Sequence, residues 1–232
     1  MSPRRSARTA GALALLGAAL LSACGADPLN IVVLIARAPG DKCAFDDDTK
    51  YVSRGSLDFR PYGTGQVSNR YYQVFSWQNN LTSVPLIVNG QTVDPATGNS
   101  FIADSVTYTY QYSDPSVALG PETANMRAVI PAGGAPKDNS VPADLIQPNA
   151  AAAIAASTAI DTAAQTLVVT FQIFGKLAAG GSTKNTNKVS FPLTVYRSST
   201  ATLTCPVGEV INGGACGVPG RDAPVSCTTT TP

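Results

Sequence analysis

Three segments of the chain alternate apolar and polar side chains with a period of two, and this alternation limits the fold more than any other feature. Residues 166–173, 188–195 and 105–112 all show it; in the first segment, Leu167 and Phe171 lie among the apolar positions. Successive side chains of a β-strand point to opposite faces of a sheet. Each segment therefore predicts a strand with one buried face.

Turn residues separate these segments and indicate how the strands connect. Asn89-Gly90 is typical of a tight hairpin. The polar segment 175–188 predicts a long hairpin that pairs residues 167–174 with 189–196. Pro192 predicts that its strand is an edge strand or is bulged there, because proline has no N–H to donate. Weaker strand candidates are residues 31–36, 52–59, 71–77, 84–88, 126–130 and 207–211.

One segment favours a helix instead. Residues 148–165 are rich in alanine, which has the highest helix propensity, and Asn149 is a candidate N-cap. We expect one short helix of two or three turns here; the alternative is a loop of small residues packed on the sheets. Residues 113–144 are rich in Pro, Gly, Ser and Asp, and together with the polar end, 228–232, they are predicted to lack a packed core.

These elements predict a mainly β protein, an antiparallel β-sandwich of which the immunoglobulin-like arrangement is one form. The short helix and a small C-terminal tail stapled by disulfides complete the expected fold.

The N-terminus has the pattern of an export signal. Arg4, Arg5 and Arg8 precede an apolar stretch, residues 10–23, and no acidic residue lies among them. A charged start followed by a short apolar core is typical of a secretory signal peptide. The stretch is shorter than the roughly 20 residues that a membrane-spanning helix needs.

The apolar stretch ends in Leu21-Ser22-Ala23-Cys24, which resembles the lipobox of bacterial lipoproteins. The resemblance implies that the Cys24 thiol is lipidated, that the peptide before it is removed, and that the new amine is acylated. Several acyl chains anchor a soluble domain more firmly than one chain. Gly25 follows the cysteine, and in this family the absence of aspartate there implies sorting to the outer membrane, with the face left open. The whole pattern resembles envelope lipoproteins of Gram-negative bacteria, a likeness that implies no activity.

Four further cysteines, Cys43, Cys205, Cys216 and Cys227, predict two disulfides in an exported chain. No CxxC pair occurs, so neither a zinc ribbon nor a thioredoxin-type motif is indicated. Three pairings are open. We favour Cys216–Cys227 within the tail and Cys43–Cys205 between the ends of the domain, because glycines near Cys216 allow the tail to fold back.

The composition excludes several classes of function. The chain has no histidine, which removes Ser-His-Asp and Cys-His catalysis and His-ligated metal sites. Its net charge of +1 gives no basic surface for nucleic acid. Asp46-Asp47-Asp48 is the only acidic run; it lacks the alternating ligands of a calcium loop, and a solvated turn is favoured over a metal site. We therefore expect no enzyme, no cofactor and no metal.

Aromatic residues form the remaining candidate site. Tyr108, Tyr110 and Tyr112 share one face of a predicted strand, and Trp77 lies in another. We favour a place in the core, since large rings carry much of a core's energy. The alternative is an exposed platform on which sugar rings stack.

The sequence thus predicts a non-catalytic, lipid-anchored protein of the outer membrane with a binding or structural role, held by its lipid and bound to an envelope protein or a glycan. A carbohydrate-binding module is the first alternative, and a hydrolase without histidine is the second. The expected organisation is a signal peptide at 1–23, an anchor and first strand or linker at 24–36, the sandwich at 37–203 and the Cys-rich tail at 204–232.

Overall fold

Strands dominate the part of the chain that the computed structural model describes, residues 30–39, 45, 50–93, 98–213 and 215–229. In chain order the strands are β1 Ile31–Ala36, β2 Gly55–Asp58, β3 Tyr72–Asn79, β4 Leu86–Val88, β5 Gln91–Val93, β6 Phe101–Tyr112, β7 Glu122–Ile130, β8 Ser140–Asp144, β9 Gln165–Leu177, β10 Lys184–Asn185, β11 Val189–Tyr196, β12 Glu209–Ile211 and β13 Cys227–Thr229. The helices are α1 Pro148–Ala156 and α2 Ala159–Thr162, and short 3-10 turns lie at Pro136–Asp138 and Ala215–Gly217.

Two sheets pack face to face. The large sheet has the order β2-β11-β9-β6-β7, with β10 beside β9, and the small sheet has the order β1-β3-β8. Neighbours in both are antiparallel except β2, which runs parallel to β11. Phe75 of β3 meets Phe171 of β9 edge to face, with ring centroids 4.8 Å apart. The predicted mainly β sandwich is confirmed.

The long hairpin forms as predicted. β9 and β11 pair in antiparallel register, with Val189 opposite Phe171. β2 pairs with β11 only from Leu193 onward. Pro192 therefore lies where the strand has no second neighbour, a place that tolerates a residue without an N–H. The edge predicted at Pro192 is therefore confined to the first half of β11, and from Leu193 onward β11 is an inner strand.

The alanine-rich segment is helical, but its cap differs from the prediction. Gln147 is the N-cap, it makes no side-chain cap bond, and Pro148 occupies the first turn. Asn149 is therefore inside the helix, and its predicted capping role is wrong. The carboxylate of Glu122 on β7 accepts hydrogen bonds from the backbone N–H of Asn149 at 3.2 Å and of Ala150 at 2.9 Å. A neighbouring strand supplies the cap that the local sequence lacks.

The prediction that residues 113–144 lack a packed core is wrong. They contain β7 and β8, and Ile130 and Val141 are buried. β7 and β8 are both edge strands. An edge strand tolerates a proline such as Pro142 in β8, because its N–H groups need no second partner strand. In the polar end, Thr228 and Thr229 are exposed but pair with β12, and residues 230–232 lie outside the described residues.

The C-terminal segment is part of the sandwich rather than an appendage. Asp58 at the end of β2 is fully buried, and its carboxylate accepts a hydrogen bond from the Val225 N–H at 2.9 Å. Arg221 is also fully buried; it donates to Gln73 of β3 at 3.2 Å and lies 4.9 Å from the Tyr71 ring centroid. Burying a charge is costly unless it is paired, so these contacts hold the tail in one position.

Candidate functional site: a cleft between two sheet edges

The aromatic residues proposed as a sugar platform lie on the inner side of the sheets. Trp77 is fully buried and Tyr108 is 2% exposed. Tyr110 and Tyr112 are half-buried and pack against the core. The favoured interpretation, that these rings belong to the core, agrees with their burial, and Trp77 and Tyr108 have no surface on which a sugar ring could stack.

The buried tyrosines act as neutral hydrogen-bonding groups. Burial raises the pKa of Tyr108 and of Tyr110 well above the ordinary value, and the nearby Asp144 carboxylate raises the pKa of Tyr108 further. The Tyr110 hydroxyl accepts a hydrogen bond from the Gln147 N–H at 3.1 Å. This bond joins β6 to the chain that enters α1.

The disulfides differ from the favoured pairing. Cys205 is bonded to Cys227, with Cα atoms 5.6 Å apart, so the pairs Cys216–Cys227 and Cys43–Cys205 are wrong. The β12–β13 ladder places Cys227 opposite Ile211. Cys227 therefore lies closer to the start of the tail, at Cys205, than to Cys216. Cys216 is also disulfide-bonded. Cys24 and Cys43 lie outside the described residues, as does the acidic run at 46–48.

A cleft of about 300 Å³ opens where β7 and β8 end the two sheets. The inward side chains of β7 are small or flexible: Ala124, Met126 and Ala128 are half-buried. Two alanines on an edge strand leave space that larger side chains fill elsewhere in the core. The apolar lining of the cleft also includes Val106, Val141, Pro142 and Ala143.

Polar groups stand at one end of this cleft. Asp144 and Gln147 line it there together with Tyr108, and Asn125 and Arg127 of β7 are also among the lining residues. The Asp144 carboxylate accepts hydrogen bonds from Arg70 Nε at 2.5 Å and from the Tyr71 N–H at 3.2 Å. Gln147 donates to the Asp144 carbonyl at 2.6 Å. An apolar floor with a few fixed polar groups is typical of binding sites.

The backbone of both edges faces the cleft opening without a partner strand among the described residues. β7 pairs only with β6, and β8 pairs only with β3. An edge strand presents a row of N–H and C=O groups to which another strand can add. The cleft therefore combines an apolar floor with two hydrogen-bonding rims.

Sequence reasoning missed this site, although a signal for it exists. Residues 124, 126, 128 and 130 are apolar and alternate with Thr123, Asn125, Arg127 and Val129. The alternation extends through Glu122–Ile130, and only its second half was identified as a strand. The small size of the two alanines marks a strand whose inner face does not fill the core.

A second depression lies beside the helices, and the polar groups that line it have a structural role. It is open, about 560 Å³ in volume, and Asp114, Ser116 and Ser157 are on its rim. Hydrogen bonds from the Ser116 hydroxyl and N–H hold the pKa of Asp114 below its usual value, and Ser157 donates to the same carboxylate at 3.2 Å. These bonds close a turn after β6 and attach it to the end of α1.

Comparison with known proteins adds no family. No protein-family model matches the chain, and no curated protein matches it significantly. No helix among the described residues is long and apolar enough to cross a membrane. Those residues also contain no cluster of three Cys, Asp or Glu side chains arranged to hold a metal ion.

Proposed function

We propose that the protein is a non-catalytic, lipid-anchored protein of the outer membrane that binds an envelope partner through the cleft between β7 and β8. The observation that carries the binding role is the cleft, with half-buried Met126 on its floor and, on each side, an edge strand that has no second neighbour among the described residues. An extended segment of a partner protein fits such a site, because it can pair its backbone with an edge and place alternate side chains in the cleft.

The groups in the cleft favour binding over catalysis. General acid–base catalysis needs a group whose pKa lies near the working pH. The pKa of Tyr108 is raised away from that range, and the Asp144 carboxylate is engaged by Arg70 and by the Tyr71 backbone. The Asp144 side chain, which is 24% exposed, suits the orientation of a bound backbone.

The anchor rests on the lipobox resemblance. In this proposal Cys24 becomes the first residue of the mature chain and carries acyl chains, which fasten the domain to the outer membrane. The burial of Trp77 and Tyr108 supports a protein partner rather than a glycan.

Fractionation of cells tests the anchor. A Cys24→Ser protein is expected to lose its lipid and leave the membrane fraction, whereas the unchanged protein stays there. As a matched control, Ser22→Thr keeps the cysteine and should keep the membrane location. Retention of the Cys24→Ser protein in the membrane fraction contradicts the anchor.

Site-specific photocrosslinking in cells tests the cleft. A crosslinker at Arg127 on β7 is expected to give a discrete adduct with an envelope protein. The same group at exposed Thr166, on inner strand β9 between β11 and β6, is the control and should give none. Equal adducts at both positions, or none at Arg127, argue against the cleft as a binding site.

A further inference from the structure

The β4–β5 hairpin has no partner within the described part of the chain. Its two strands pair with each other and with no other strand there. Asn89 and Gly90 form its turn, with φ of 52° and 77°, so the predicted hairpin at this dipeptide is confirmed. A lone two-stranded hairpin is marginally stable in water. Such an element gains stability from a surface against which it can rest.

Two aliphatic side chains in and just before this hairpin are largely exposed. Val84 is 65% exposed and Ile87 is 78% exposed. The sequence from residue 78 to residue 93 contains no Asp, Glu, Lys or Arg. A segment without charges can enter a lipid interface at low free-energy cost, and its exposed aliphatic side chains favour the transfer.

The hairpin emerges at the end of the sandwich where the chain enters from the anchor. Ile31, the first residue of β1, pairs with Asn79, the last residue of β3. The Asn80 N–H donates to the Asn30 carbonyl at 2.7 Å, and the hairpin follows directly. We call this the anchor end of the sandwich.

The length of the linker keeps the anchor end close to the bilayer. Seven residue steps separate Cys24 from Ile31. An extended chain spans at most about 3.3–3.6 Å per residue, so the anchor end stays within about 25 Å of the lipidated residue. This step rests on the proposed lipid anchor.

Charged side chains of both signs lie at the anchor end. Lys176 and Lys188 are exposed there; Lys176 pairs with Ile102 near the start of β6, and Asn187, beside Lys188, bonds the backbone of Val33 in β1. Lysine side chains near a membrane surface are attracted by anionic headgroups. Two carboxylates, Asp104 and Asp138, share this end.

We propose that the β4–β5 hairpin is a second membrane contact, which places Val84 and Ile87 among the lipid headgroups and sets the orientation of the sandwich on the bilayer. In this orientation the polar end of the cleft, at Asp144 and Gln147, points away from the lipid. The hairpin thus presents the cleft to partners in the aqueous space.

Tryptophan fluorescence of the full lipidated chain tests this inference. The Ile87→Trp variant is expressed and isolated from membranes with its lipid. It is then reconstituted in vesicles of phosphatidylethanolamine and phosphatidylglycerol with brominated acyl chains. The native Trp77 is fully buried, so it gives a constant background. The control is Val207→Trp in the C-terminal segment, at a valine that is 107% exposed.

The Ile87→Trp protein is expected to lose about half of its added emission to the brominated lipid, since interfacial side chains reach about 5–10 Å into the boundary. The Val207→Trp protein should keep its emission. If mass spectrometry shows the lipid on Cys24 and the Ile87→Trp signal is unquenched, the hairpin inference fails and the anchor stands. If Cys24 carries no lipid and neither protein stays with the vesicles, both fail.

Discussion

Glu122 stabilises a helix to which it does not belong. Its carboxylate accepts hydrogen bonds from the N–H groups of Asn149 and Ala150, in the first turn of α1. The first N–H groups of a helix have no partner inside the helix, and a negative charge there also interacts favourably with the helix dipole. A single side chain on β7 therefore connects the large sheet to the helix.

A Glu122→Ala variant should lower the free energy of unfolding by about 1 kcal/mol, the usual effect of removing a helix cap. Urea denaturation measures it. Glu209→Ala is the matched control, because the Glu209 side chain makes no hydrogen bond among the described residues and its removal should change little. Equal losses in the two variants contradict the capping role.

Local sequence predicts a residue's environment only when its partners are nearby or its pattern is regular. Ring size favoured a place in the core for Trp77 and Tyr108, and both are buried. The cap of α1 escaped prediction because Glu122 lies 27 residues from the N–H group of Asn149 that it binds. Buried Asp58 escaped for the same reason, since its partner Val225 is 167 residues away.

Strands were predictable where one face is fully apolar. β9 and β11 have buried alternate residues along their length, and both were predictable as strands that pair with each other. β7 has a half-exposed face in which alanine takes the place of larger residues, so its signal was weak. The small alanine side chains of β7 leave the cleft open, and they also make the apolar pattern of the strand weak.

Gly175 in β9 shows how closely two of these strands approach. A Cβ at this position would lie 2.1 Å from the Ile102 carbonyl oxygen of β6, beside the point where the β6 register shifts. Because backbone atoms must move, Gly175→Ala should cost about 2 to 3 kcal/mol in unfolding free energy.

Gly120→Ala is the control for this variant. No atom lies within 4 Å of a Cβ built at Gly120, so its effect should stay within about 0.5 kcal/mol. Thermal or urea unfolding compares the two, and a Gly175→Ala protein as stable as the control contradicts the close approach.

At the scale of the molecule, Asp58 joins β2 to the C-terminal segment. Its carboxylate accepts hydrogen bonds from the N–H and hydroxyl of Ser198, at 2.9 and 2.6 Å, and from the N–H of Val225 at 2.9 Å. The tail that it holds also buries Arg221 against Gln73. These hydrogen bonds attach the tail, predicted to begin at residue 204, to the body of the protein.

Asp58→Ala should destabilise the protein by about 3 kcal/mol or more, because it leaves buried N–H groups unpaired. It should also expose Arg221 to trypsin, since the tail loses its attachment. Asp104→Ala, at an exposed position of β6, should leave both stability and protection unchanged. Continued protection of Arg221 in Asp58→Ala contradicts the role assigned to Asp58.

The lipid anchor is the claim on which the location, the orientation of the hairpin and the presentation of the cleft depend. Mass spectrometry of the N-terminal peptide from the native protein tests it most directly. The account predicts a mature chain that begins at Cys24 and carries acyl groups on its thiol and amine. An N-terminal peptide that retains Met1, or an unmodified Cys24 thiol, contradicts it.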